Sequence, residues 1–282
     1  MNMLSRTRRR TRGAARAFPL ALVLLVAVVA CTVSTQQEVQ LGNSYAAQID
    51  TALPLVRDVE VNRYIKFLGD SLAKMTDTRG LQWHFSVVDS KEVNAFAVPG
   101  GWIYVNRGLI ERSQSMSQVA GVLGHEIGHV TRRHSVQQMQ TAQGANIGGA
   151  LLCTLTKVCE SGVASAAINV GGSALFAKFS RGDEAEADQE GVKTTIQAGI
   201  DPDGIPEMFR ILLDERKANP GAVDAFFASH PLEEDRIAAT RAQIATYPAA
   251  QVRGMTRDTP EFQAFKRRVM ALPPSPPPKK QK

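Results

Sequence analysis

Beyond residue 31 the chain lacks an apolar run long enough to cross a bilayer, lacks any internal repeat, and carries no surplus charge of either sign. The first absence argues against a multi-spanning membrane protein, and the second against a repeat array. The formal net charge of +6 comes entirely from Arg6, Arg8, Arg9, Arg10, Arg12 and Arg16, in a start that holds no acid. A balanced body gives no electrostatic case for binding nucleic acid. Cysteine is scarce, at three residues. With 282 residues, of which 44% are apolar, the chain is long enough for one well-cored domain with short appendages.

The basic start runs into an apolar stretch from Phe18 to Ala30, too short to span a bilayer comfortably and suited to the apolar region of a signal peptide. It ends in Val28-Val29-Ala30-Cys31, which resembles the cleavage box of bacterial lipoproteins. That resemblance implies a signal peptide over residues 1–30 and a lipid on Cys31. Thr32 is not the aspartate associated with inner-membrane retention, so the outer membrane is favoured. In an exported, oxidised protein the two remaining cysteines, Cys153 and Cys159, read as a disulfide.

Residues 31–45 are polar and read as a tether with a fraying helix start, 46–250 as the main domain, and 251–282 as a helix with a Pro- and Lys-rich tail. Helical spacing runs from about Tyr45 to Lys74 with a break near Pro54, and from Met116 to about Gln138. Further helices are expected at 182–198, 204–218, 233–246 and from Thr259-Pro260 onward. Residues 81–89, 95–98 and 102–105 read as strands, the last two joined by Pro99-Gly100-Gly101. The fold class expected is α+β, mainly helical with a small, largely antiparallel sheet.

The informative motif is His125-Glu126-Ile127-Gly128-His129. Two histidines four apart on a helix face the same side and can supply two nitrogen ligands to one zinc ion, while Glu126 reaches a reacting water without being a ligand. Gly121, Gly124 and Gly128 lie in the same helix, each costing about 1 kcal/mol relative to alanine, so close backbone packing is expected there. His134, five residues past His129, would point about 140° away on a continuous helix and reads as solvated beside Arg132 and Arg133. A catalytic zinc needs a third protein ligand and one open position. Glu184 and Asp188 are four apart on a second helix, so that one carboxylate can bind metal while the other accepts the spare N–H of a ligating imidazole. A solvated acidic face would be the reading of that stretch by composition alone.

Together, Asn94-Ala95-Phe96-Ala97 with Pro99-Gly100-Gly101, the Gly121–His129 stretch, Ser180-Arg181 through Asp188, and Ser229-His230-Pro231 with Arg236 resemble the M48 metallopeptidases. The resemblance covers roughly residues 38–246 and is nearest in look to short periplasmic lipoprotein members. It implies a zincin core with one zinc ion on His125, His129 and Glu184, Glu126 as general base and Asp188 behind the metal. It implies further that Asn94 and Ala95 pair with substrate backbone. It also places His230 over the metal, either as a fourth ligand that keeps the enzyme latent or as a stabiliser of the oxyanion, and the ligand role at rest is the expectation. The function so implied is a zinc endopeptidase, lipid-anchored on the periplasmic side of the bacterial envelope, that degrades misfolded or misassembled envelope proteins. A chaperone-like adaptor of the outer-membrane assembly machinery, with latent protease activity, is the alternative.

Overall fold

Helix dominates, as the spacing of apolar residues requires, over the residues that the computed structural model describes: 33–141, 178–231 and 234–276. Cys31, Cys153 and Cys159 lie outside the described residues. Helix α1 (Thr35–Ala52) and helix α2 (Val59–Thr76) are separated at Pro54. Asp58 starts α2 by accepting hydrogen bonds from the Glu60 and Val61 amides, 3.0 Å each. A three-stranded sheet follows, of β1 (His84–Val88), β2 (Ala95–Val98) and β3 (Trp102–Asn106).

The order in the sheet is β1-β3-β2. β2 and β3 form the expected antiparallel hairpin, whereas β1 lies parallel to β3, so the sheet is mixed. The loop over residues 89–94 needs to cross only the width of β3, about 10 Å, which a chain of that length spans easily. Its residues carry no signal that the next strand will skip a position. In the hairpin turn Gly100 and Gly101 take φ values of 81° and 101°, a region that side chains rarely enter.

The helices α3 (Arg107–Arg112), α4 (Met116–Thr131), α5 (Arg181–Gln197), α6 (Gly204–Ala218), α7 (Pro220–Ser229), α8 (Glu234–Ile244), α9 (Ala249–Val252) and α10 (Pro260–Met270) complete the described chain. None of the described helices is long and apolar enough to cross a membrane. The fold is α+β: mostly helical, with the small sheet packed against α2 and α4.

Helix α4 is buried on every side from Met116 to Val130, not along a single stripe. Its glycines explain how. A Cβ on Gly124 would stand 3.2 Å from the Cα of Gly191, and one on Gly128 3.0 Å from the carbonyl oxygen of Ala187. Helices α4 and α5 therefore meet backbone to backbone, which brings the side chains flanking the contact to a common level. Ser180 begins α5 with a capping box, exchanging hydrogen bonds with Asp183.

Three expectations change. Helix α1 begins at Thr35, inside the stretch read as a tether, because Glu38 is fully buried and bound. It accepts from Arg79 Nη1 at 2.8 Å and from Arg133 Nε at 2.7 Å. At the other end, α10 lies beyond residue 250 yet supplies Phe262, Phe265 and Val269 to the main core, so it belongs with the domain. The third change is a helix break at Arg132-Arg133, where Arg133 has φ 62° before residues 134–141 turn helical again. That conformation costs on the order of 1–2 kcal/mol for a residue with a Cβ, and the Glu38 ion pair helps to hold it.

Candidate metal centre

Four side chains from three places in the sequence converge: His125 and His129 from α4, Glu184 from α5, and His230 just past α7. One ligand atom from each lies within 4.8 Å of all the others, and all four residues are buried. His125 Nε2 stands 3.0 Å from His129 Nε2, 3.5 Å from His230 Nδ1 and 3.6 Å from Glu184 Oε2. Glu184 Oε1 stands 3.4 Å from His129 Nε2 and 3.1 Å from His230 Nδ1. Ligands at about 2.0–2.1 Å from a tetrahedral zinc are separated by about 3.3 Å. The donor set is therefore of zinc's kind and spacing, and the residues fit the metal.

Burial holds the His129 imidazole well below its ordinary pKa, although the Glu184 contact opposes the effect, so the ring is neutral as a ligand must be. For Glu184 burial alone would raise the carboxyl. The surrounding histidines, His230 first, outweigh it and hold the group well below the usual carboxylate range. His230 is shifted upward: its burial works against the charge, but Glu126 and Glu184 overcome that.

Glu126 is fully buried, and neither carboxylate oxygen has a hydrogen-bond partner among the described residues. Burial raises its pKa, against the pull of His230 and His125. A buried carboxyl with a raised pKa and no hydrogen-bond partner, beside a cluster that could hold a metal, has the properties of an acid–base group. His230 presents Nδ1 to the cluster and Nε2 to Glu126, 3.6 Å from Oε1.

Asp188 lies behind the cluster. Its Oδ1 is 2.9 Å from His125 Nδ1, so that a proton shared there leaves Nε2, the nitrogen facing His129 and Glu184, as the free lone pair. Arg236 binds this carboxylate through Nε at 2.8 Å and Nη2 at 2.7 Å, and binds Glu184 Oε2 through Nη1 at 2.5 Å. The sequence offers Arg236 only as part of a family pattern; that it ties Glu184 to Asp188 emerges from the fold. Phe179 stacks on His129 with ring centroids 3.9 Å apart, and Phe226 packs on His230 at 5.1 Å.

His134 departs from the solvated position expected for it. Arg133 turns the chain, and His134 is buried with its Nδ1 2.9 Å from His129 Nδ1. Burial also lowers its pKa. Asn94 and Ala95 do not join the metal cluster. Ala95 opens β2 with its side chain fully buried, and the Asn94 side-chain oxygen is buried without a hydrogen-bond partner among the described residues.

The model of peptidase family M48 matches residues 60–244, which include every member of this cluster. The chain belongs to that family. The chain is 31% identical over 237 residues to a putative beta-barrel assembly-enhancing protease of Vibrio cholerae, covering 82% of this chain and 49% of that one. It is 30% identical over 251 residues to the beta-barrel assembly-enhancing protease of Escherichia coli, covering 86% and 50%. The chain thus spans about half the length of these two relatives. Against the E. coli metalloprotease YcaL the identity is 26% over 227 residues, covering 79% of this chain and 85% of that one.

Proposed function

We propose that this M48 protein is a zinc-dependent endopeptidase of the bacterial cell envelope that cleaves misfolded or misassembled envelope proteins. One observation carries the reading: His125, His129, Glu184 and His230 outline a buried site of zinc's size, with the Glu126 carboxylate, free of hydrogen bonds, at its side. The names of the relatives support an envelope setting and a link to outer-membrane assembly.

One zinc ion on His125, His129 and Glu184 would supply the Lewis acidity that polarises a scissile carbonyl. Glu126 takes the proton of the attacking water and delivers it to the leaving amine, a role suited to a carboxyl whose pKa burial has raised. Asp188 and Arg236 fix His125 and Glu184 in place through the hydrogen bonds given above. Asn94, just before β2 and with its carbonyl held by the Asn106 amide at 2.9 Å, and Ala95, the first residue of that strand at the end of the sheet order, are the positions at which an extended substrate would add to the sheet. Such strand addition reads little sequence, as suits a protease of unfolded chains.

His230 would close the site at rest by taking the fourth ligand position, giving a latent enzyme. Latency is also what the adaptor reading requires, in which clients of the outer-membrane assembly machinery are held and rarely cut. Lipid on Cys31 anchors the protein on the periplasmic side, with the outer membrane favoured. Fatty-acid labelling that persists in Cys31→Ala would rule the anchor out. A disulfide between Cys153 and Cys159 belongs to the same exported state, and two titratable thiols in the non-reduced protein would exclude it.

The test of function is cleavage of unfolded casein by the purified chain, with and without a chelator, and again after zinc is restored. The endopeptidase reading predicts cleavage that the chelator stops and zinc recovers. Binding of unfolded chains with no zinc-dependent cleavage would favour the adaptor.

A further inference from the structure

Each zinc-facing histidine has a second ring nitrogen, and what that nitrogen meets decides which tautomer the ring adopts. For His125 the partner is Asp188, at 2.9 Å. For His129 it is another imidazole: His134 Nδ1 lies 2.9 Å from His129 Nδ1, and both rings are buried. Two ring nitrogens at that distance share one proton, because two lone pairs or two N–H groups would repel. If His134 held it, His129 would be protonated on Nε2, the nitrogen that faces Glu184 and His125. It could not then bind metal.

We infer that His134 is the positioning residue for His129, accepting its Nδ1–H and so presenting a neutral Nε2 to the metal. His134 then carries its own proton on Nε2. That nitrogen is buried without a hydrogen-bond partner among the described residues; the carboxylates near it are Glu186 Oε2 at 3.6 Å and Asp183 Oδ1 at 4.0 Å. Both acids belong to α5, the helix that also carries Glu184.

The backbone supports this assignment. A continuous helix would direct a residue five past His129 away from the site, about 140° round the axis. The chain instead breaks at Arg133, the one non-glycine residue with positive φ among the described residues, and the break returns His134 to the cluster. Backbone strain beside a site is retained where the structure uses the resulting geometry.

This inference rests on the zinc reading, and its test separates the two. Zinc affinity is measured by competition with a chromogenic chelator, together with the thermal midpoint of the zinc-free protein. His134→Phe keeps the ring but removes the acceptor, and zinc affinity should fall by about 10–100-fold. His134→Asn, whose side-chain oxygen can occupy the Nδ1 position, should remain within about threefold of wild type. His134→Gln carries its amide further out and should behave as His134→Phe, which keeps the test available if the Phe protein does not fold. In a positioning role the zinc-free midpoints of all folded variants stay together while their affinities diverge. Equal zinc affinity in wild type, His134→Phe and His134→Gln would overturn the inference. So would losses of affinity that follow the zinc-free midpoint and are not rescued by Asn. Wild-type protein that binds no zinc would overturn the metal centre and this inference with it.

Discussion

Replacing Arg236 with Leu removes the full cation bound to both Glu184 and Asp188, and its effect should depend on zinc. The guanidinium makes three hydrogen bonds of 2.5–2.8 Å to the two carboxylates and lies over the Phe209 ring, 4.6 Å from its centre. Its side chain is 12% exposed, against 1% for Glu184 and 8% for Asp188, so the pairs are buried. Breaking a buried pair by removing one partner costs about 3–5 kcal/mol. Protonation offers little escape, because a carboxyl with an ordinary pKa of 4.5 needs about 3–4 kcal/mol to take up a proton at pH 7. In zinc-free protein Arg236→Leu should therefore lose about 3–5 kcal/mol in urea unfolding at neutral pH. In loaded protein Glu184 has the metal as its counter-charge and only Asp188 is left uncompensated, so the loss should be about half as large. Zinc then stabilises the variant more than it stabilises wild type. A zinc-free loss below about 1 kcal/mol would put these pairs with exposed ion pairs and refute the reasoning.

If His230 takes the fourth position at rest, as proposed, His230→Ala should raise basal cleavage of casein and loosen zinc retention modestly. A fall in activity of about a hundredfold with zinc unchanged would assign His230 to oxyanion stabilisation instead. Asp58→Ala removes the cap of α2 and should cost about 1 kcal/mol at neutral pH. Hydrogen bonds from Arg268 and from the Val61 and Glu60 amides lower the Asp58 pKa below 3.8. Its contribution is thus complete above that value and lost as pH falls through the lower folded value. The stability gap between wild type and Asp58→Ala should narrow as pH falls below 3.8, and a gap that stays constant throughout the acid range would contradict the capping account.

Much of the cluster was legible because its members are spaced along helices. His125 with His129, and Glu184 with Asp188, are each four apart, and the fold turns both pairs to one centre. The glycines of α4 signalled close packing, and the Gly191 and Ala187 backbones supply it. His134 was misplaced because its position depends on one left-handed residue, Arg133, and an arginine gives no local signal of positive φ. Glu38 was hidden for a similar reason. An isolated glutamate in a polar stretch looks solvated until Arg79 and Arg133 meet it from residues far along the chain. The parallel pairing of β1 and the packing of α10 are likewise non-local, since neither changes the periodicity of its own segment.

The central claim, that a zinc ion and the Glu126 carboxylate together cleave peptide bonds, is tested most directly in Glu126→Gln. The substitution preserves shape and leaves His125, His129 and Glu184 untouched. Zinc content and casein cleavage should be measured on the same preparation. One zinc per chain should be retained while cleavage falls by about 100-fold or more. Cleavage at the wild-type rate, with zinc bound, would contradict the account.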